Sequence, residues 1–143
     1  MIRNLKKNDM NDVMNIWLKS NITTHYFISE DYWKKNEDFV RDAISKAETY
    51  VYEENNIIKG FIGLVKDYVA GIFVKEEYRS KGIGKSLLNY CKEKHTKLKL
   101  KVYEKNEKAI RFYERENFEK NNELIDELTK EKEYYMIWKK TSN

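Results

Sequence analysis

Hydrophobic positions along the chain change period several times, and the changes mark its elements. Leu98, Leu100 and Val102 alternate with Lys97, Lys99 and Lys101. That period of two predicts a strand over 98–103 with its lysines turned to solvent. Val13, Ile16 and Trp17 recur at helical spacing and predict a helix opened by Asn8. A polar stretch at 21–27 reads as a loop, followed by a second helix capped by Ser29 with Trp33, Val40 and Ile44 on one face. Residues 49–53 and 57–66 predict a hairpin turning at Asn55-Asn56, and 68–74 the next strand. A short strand at 2–6 opens the chain, and strands at 118–124 and 133–140 close it. Two more helices fall between, one carrying Leu87, Leu88 and Cys91 on its buried stripe. The predicted order is β-α-α-β-β-β-α-β-α-β-β, an α/β domain with a mixed sheet flanked by helices.

Length and composition narrow this picture. The 143 residues suit one domain spanning 1–143, with no repeat, linker or low-complexity tract beyond the polar tail Thr141-Ser142-Asn143. No apolar run approaches the ~18 residues of a membrane span, and the N-terminus lacks a secretory apolar core. No membrane partner is expected. A lone cysteine has no intramolecular disulfide partner, which favours a reducing cytoplasm. Cys91 itself reads as a small core hydrophobe.

The segment Arg79-Ser80-Lys81-Gly82-Ile83-Gly84-Lys85-Ser86 joins a strand to an amphipathic helix. Such a junction aims free backbone N–H groups and the positive end of a helix dipole at one point, where phosphate is the usual occupant. Its glycines admit close approach, and Arg79, Lys81 and Lys85 add charge. A dinucleotide fingerprint needs a third glycine where Leu87 stands. A Walker loop needs a further glycine upstream of Gly84-Lys85-Ser86. What remains is Arg79-x-x-Gly82-x-Gly84 at a helix start. Farther on, Asn106-Glu107-Lys108-Ala109-Ile110-Arg111-Phe112-Tyr113 precedes Asn117-Phe118. On a helix, Asn106 and Tyr113 lie two turns apart on one face, with small Ala109 leaving a groove between them.

Both segments, in this order and spacing, resemble the acyl-CoA-binding motifs of the GNAT superfamily of N-acetyltransferases. The resemblance covers most of the chain, with its specific motifs inside 72–118. Glu76 stands where many members have proline, and Asn117 where glycine usually follows the last helix. Asn is the best non-glycine residue for that left-handed position. The resemblance implies a mostly antiparallel sheet of about seven strands, splayed between strands 4 and 5 and flanked by about four helices. Acetyl-CoA would be the co-substrate, with no metal. Ile72, Phe73 and Val74 would offer strand-edge groups to the pantetheine arm and thioester. Arg79, Ser80, Lys81, Gly82, Ile83, Gly84, Lys85 and Ser86 would hold the diphosphate. Asn106, Ala109 and Phe112 would line the donor site, and Tyr113 would be the general acid.

Acyl transfer to an amine also needs a route for the amine's protons. His25, Asp67 and Glu104 are the candidates. Trp17, Thr24-His25-Tyr26-Phe27 and Tyr32-Trp33 resemble a bacterial subgroup, the YjaB-like acetyltransferases. That places His25, Phe27 and Trp33 at the acceptor pocket, His25 with a catalytic role as well. The acceptor is a small amine, a peptide N-terminus or a lysine, and no acidic cluster marks a polycationic one. The chain is expected to act as a monomer or homodimer.

Charge adds a second reading. Residues 79–101 carry eight Lys/Arg and one acid, +7, against +4 for the whole chain, so the remainder sums to −3. This excess suits coenzyme A phosphates. It also fits a non-catalytic module that senses acyl-CoA or binds nucleic acid. Nucleic acid is not the expected partner, because Tyr90 alone interleaves an aromatic with these basic residues.

Overall fold

The computed structural model describes residues 1–141. Strand β1 (Ile2–Asn4) and a 3-10 turn (Lys7–Asp9) lead into helices α1 (Met10–Thr24), α2 (Glu30–Lys35) and α3 (Glu37–Lys46). Strands β2 (Glu48–Glu54), β3 (Ile57–Val65) and β4 (Tyr68–Val74) follow as a meander. Then come α4 (Ile83–Lys92), β5 (Lys97–Tyr103), α5 (Glu107–Arg115), β6 (Glu119–Ile125) and β7 (Lys132–Lys139). They form one seven-stranded sheet in the order β1-β2-β3-β4-β5-β7-β6. The polar tail's last two residues, Ser142 and Asn143, lie outside the described residues.

All neighbours in the sheet are antiparallel except β4 and β5. That parallel pair registers only at Tyr68 and Lys99, where the Lys99 N–H also donates to the Asp67 carbonyl (2.9 Å). Beyond this point the strands diverge. The splay expected between strands 4 and 5 is therefore present, and it leaves one edge of β4 unpaired at Ile72–Val74.

Two cores sandwich the sheet, because side chains alternate along each strand. Ile62, Leu64, Leu98, Leu100, Val102 and Met136 pack under α4 and α5 with Leu87, Leu88 and Cys91. Val51, Ile58 and Phe61 pack on the other face with Val13, Ile16, Trp17, Trp33 and Ile44 of α1–α3. Cys91 is wholly buried and its thiol is pushed up to about 12 by that burial. Its reading as a core hydrophobe holds. The Asn55-Asn56 hairpin also holds, with both residues at positive φ (55° and 64°), as a primed turn requires.

Three expectations about the first half need correction. The first helix is not opened by Asn8. A 3-10 turn precedes it, and the Asp9 carboxylate is bound by Arg3 (2.8 and 3.0 Å) and the Lys6 N–H (2.7 Å). The polar stretch at 21–27 is not all loop either, since α1 runs to Thr24. Asn21 turns its amide back on the Trp17 carbonyl (2.9 Å), so its polarity is satisfied within the helix. The predicted single second helix is two. Asn36, at φ −95° and ψ 0°, breaks it while its side chain donates to the Tyr32 carbonyl (2.7 Å). The count is thus five α-helices among the described residues, against about four expected.

Candidate active site

The glycine turn is built as the sequence suggests. Gly82 sits at φ +84°, in the left-handed region that other residues avoid, and Ser80 at φ +63°. Helix α4 starts at once, and its first backbone acceptor bond runs from Ser86 N–H to the Gly82 carbonyl (3.0 Å). No side chain among the described residues caps the start. The amides of Gly82, Ile83, Gly84 and Lys85 are left as a ring of donors at the positive end of the helix. Arg79 is anchored by its Nε to the Val74 carbonyl (3.2 Å). These groups fit a diphosphate, a ligand that supplies acceptors only.

Two cavities open at the splay. The larger, about 890 Å³, runs from this turn along α5 and is lined by Val74, Arg79, Ser80, Gly82, Ile83, Gly84, Lys85 and Phe112. Lys108 and Arg115 of α5, and Ser20 and Thr24 of α1, line it too. The smaller, about 620 Å³, lies on the other side, against β5 and the turn between β6 and β7. Both are walled by Ile72, Phe73, Asn106, Ala109 and Tyr113. A ligand in each would meet at those five residues.

Main-chain direction follows from the register. Lys75 N–H donates to the Lys59 carbonyl on β3, so alternate residues of β4 turn the other way. Ile72 and Val74 direct their N–H and C=O into the splay. Phe73 is paired to Phe61 and contributes its ring, 5.2 Å from that of Phe61.

Asn106 caps α5, its Oδ1 accepting from the Ala109 N–H (3.3 Å), and its Nδ2 donates to His25 Nε2 (3.3 Å). His25 Nδ1 in turn donates to Asn21 Oδ1 (2.9 Å). Each amide is oriented by a backbone partner, so the chain of bonds runs one way and sets the histidine tautomer. Burial pushes the His25 imidazole down to about 4, so it is neutral near pH 7. Its ring stacks on Trp33 (5.5 Å) and meets Phe27 and Tyr103 edge-on. His25 lines the smaller cavity, whereas Phe27 and Trp33 stand behind it. The buried Trp33 indole N–H has no partner among the described residues.

Tyr113 is half-buried between the cavities, and burial holds its phenol above the ordinary value. Its hydroxyl has no protein hydrogen-bond partner among the described residues. After it the chain leaves α5 through Asn117 at φ +70°, the left-handed position expected there.

Lys81, Ser86, Asp67 and Glu104 stand apart from both cavity walls. Asp67 faces Lys99 at 3.5 Å in the turn before β4. Glu104 accepts from the Tyr134 hydroxyl (2.9 Å) and pairs with Lys132 (3.2 Å), which together hold its carboxyl below the usual range.

The expected lack of an acidic cluster is corrected by the smaller cavity. Asp126 and Glu127 from the turn between β6 and β7, and Glu133 from β7, line it together with Lys101. They escape a linear reading because Glu133 is separated from the other two by the turn that folds it back. Asp126 is committed: it accepts from Tyr103 Oη (2.9 Å) and the Leu128 and Thr129 amides (2.9 and 3.3 Å). Burial works to raise its carboxyl, but those bonds outweigh it and hold the group low. The Glu133 carboxylate has no hydrogen bond or ion pair among the described residues. Burial pushes it upward, as does Asp126, with Lys101 opposing.

Comparison with known proteins bears on the family and the fold. A family model described as an acetyltransferase (GNAT) domain matches residues 45–120. The peptidyl-lysine N-acetyltransferase YiaC of Escherichia coli is 35% identical over 120 residues, 82% of each chain. The peptidyl-lysine N-acetyltransferase YjaB of the same organism is 29% identical over 118 residues, 82% of this chain and 80% of its own. The solution structure of its apo form superimposes with a TM-score of 0.86 at 25% identity, covering 99% of this chain and 98% of that one. An aminoglycoside 6'-N-acetyltransferase complexed with coenzyme A shares the fold, with a TM-score of 0.80 at 11% identity over 100% of this chain and 98% of that one. The chain belongs to the GNAT acetyltransferase family and is an acyltransferase. No helix among the described residues is long and apolar enough to cross a membrane.

Proposed function

We propose that this acetyltransferase moves the acetyl group of acetyl-CoA to the ε-amine of a lysine, with donor and acceptor entering from opposite sides of the splay. The observation that carries this reading is the pair of cavities sharing Ile72, Phe73, Asn106, Ala109 and Tyr113. The uncapped amides at 82–85, with Arg79, Lys85, Lys108 and Arg115, suit the phosphates of the larger cavity. The free edge of β4 offers the Ile72 main chain and the Val74 N–H to the pantetheine amides, the Val74 carbonyl being held by Arg79. The donor supplies an activated thioester carbonyl.

The smaller cavity carries three carboxylates against one lysine, which favours a cationic acceptor over an acidic one. Both sequence relatives bear the name peptidyl-lysine N-acetyltransferase, consistent with a lysine in that cavity. Tyr113 stands where the cavities join and is the general acid for the departing thiolate. Burial holds the phenol above its normal pKa of ~10, so it is protonated near pH 7 and has a proton to offer the departing thiolate. His25 has both ring nitrogens engaged, and its role is to orient Asn106 across the donor path.

Free-thiol release from acetyl-CoA, followed with a lysine peptide, free lysine and an N-terminal amine, tests this reading. Fastest release with the lysine peptide is expected. Coenzyme A binding by calorimetry without thiol release on any amine would overturn it and favour an acyl-CoA-sensing module.

A further inference from the structure

The reaction needs somewhere for the amine's protons to go, and the acceptor cavity offers few groups. A lysine amine, with a pKa near ~10.4, arrives protonated, and an ammonium is no nucleophile. The Nε2 lone pair of His25 already accepts from Asn106, and its Nδ1 proton is given to Asn21. Asp126 is held by three donors. Glu127 is exposed at the turn, and Glu104 and Asp67 lie off the cavity wall. Glu133 differs from all of these. It is half-buried, lines the cavity, and has no protein partner among the described residues.

Its position in the sheet is well determined. Glu133 pairs with Tyr103 of β5 on one side and with Leu124 of β6 on the other. Met136 and Trp138 are buried in the core under α4 and α5, so by alternation Glu133 points to the opposite face, toward the cavity. Tyr68, at the point where β4 and β5 part, lines the same cavity as Glu133 and Tyr113. The carboxylate and the phenol thus occupy different walls of one cavity.

We propose that Glu133 is the general base, receiving the acceptor ammonium in the smaller cavity and taking its first proton. This rests on the lysine acetyltransferase reading above. The proton passes from nitrogen to the Glu133 carboxylate and from there to water. The freed lone pair forms the N–C bond at the thioester carbonyl. As the C–S bond breaks, its electron pair leaves on sulfur, which takes the Tyr113 hydroxyl proton. The second proton on nitrogen restores the phenol, leaving an amide, a free thiol and one proton in solution. Around the carboxylate, Asp126 and Glu127 reinforce attraction for the ammonium, and Lys101 opposes it. Tyr32, Tyr68, Tyr103 and Tyr113 are phenols and His25 is neutral, so none of these adds charge near pH 7.

The test compares wild type with Glu133→Gln on two peptides, one with lysine and one with thialysine, whose amine is less basic. Coenzyme A affinity measured on the same samples reports that the fold and donor site are intact. With lysine, the variant should lose about 10²-fold or more in kcat at unchanged coenzyme A affinity. With thialysine the deficit should shrink several-fold, because more of that amine is neutral without help. Equal deficits on both peptides, a rise confined to the peptide KM, or full activity would each overturn the base role. Failure of the wild type on every amine would overturn the lysine reading itself, whereas an active wild type beside an equally active variant would remove Glu133 alone.

Discussion

His25 and Asn106, 81 residues apart in sequence, are joined by a 3.3 Å hydrogen bond between Nε2 and Nδ2 where the two cavities meet. The bond ties the end of α1 to the start of α5, and Asn21 and the Ala109 amide complete the chain on either side. It also fixes a half-buried, neutral imidazole beside the wall shared by the two cavities.

That neutrality has a consequence for stability. The folded His25 titrates near 4, below the ~6.5 of an unfolded histidine, so the unfolded state binds the proton first as pH falls. Its contribution is fully present above pH ~6.5 and is lost on acidification, by about 3 kcal/mol at pH 4. Denaturant titrations between pH 7 and 4 should show stability falling more steeply in wild type than in His25→Gln, the carboxylates held low contributing equally to both. Parallel curves would contradict the neutral assignment.

The two turn glycines should separate folding from binding. Gly82→Ala forces a side chain into the left-handed region and should cost about 1–2 kcal/mol of stability. At Gly84 an added Cβ would meet the Phe112 ring at 3.5 Å, an ordinary contact. Gly84→Ala should therefore leave the melting temperature within a few degrees while weakening coenzyme A binding, since the methyl group enters the larger cavity, where the donor is proposed to lie. Calorimetric titration and thermal melts on both variants check this contrast.

Cys91 should be silent in the native protein. Its thiol is fully buried and pushed to about 12, so thiol-directed reagents should label it only at the rate of unfolding. Labelling much faster than denaturant-monitored unfolding would contradict the packing described under α4.

Much of this site was legible because its signals are local. The Gly82 turn, the Asn106–Tyr113 face and the Asn117 cap each lie within a few residues, where backbone geometry and helical period act directly. The helix break at Asn36 was not legible, since Asn tolerates helix and turn alike and a side-chain bond to the Tyr32 carbonyl decides the matter. The end of α1 was misread because Asn21 satisfies its amide internally. The acidic wall of the smaller cavity was hidden for another reason. Glu133 joins Asp126 only through the pairing of β6 with β7 and their splay from β4, and such non-local contacts leave no periodic trace. Lys108 and Arg115 likewise reach the larger cavity only once α5 is docked.

The account turns on Tyr113 giving its proton at the junction of two cavities. Single-turnover transfer from acetyl-CoA to a lysine peptide, with coenzyme A affinity measured on the same Tyr113→Phe sample, tests it most directly. The expected result is a rate lowered about 10²–10⁴-fold at an affinity within about twofold of wild type. An unchanged transfer rate would contradict it.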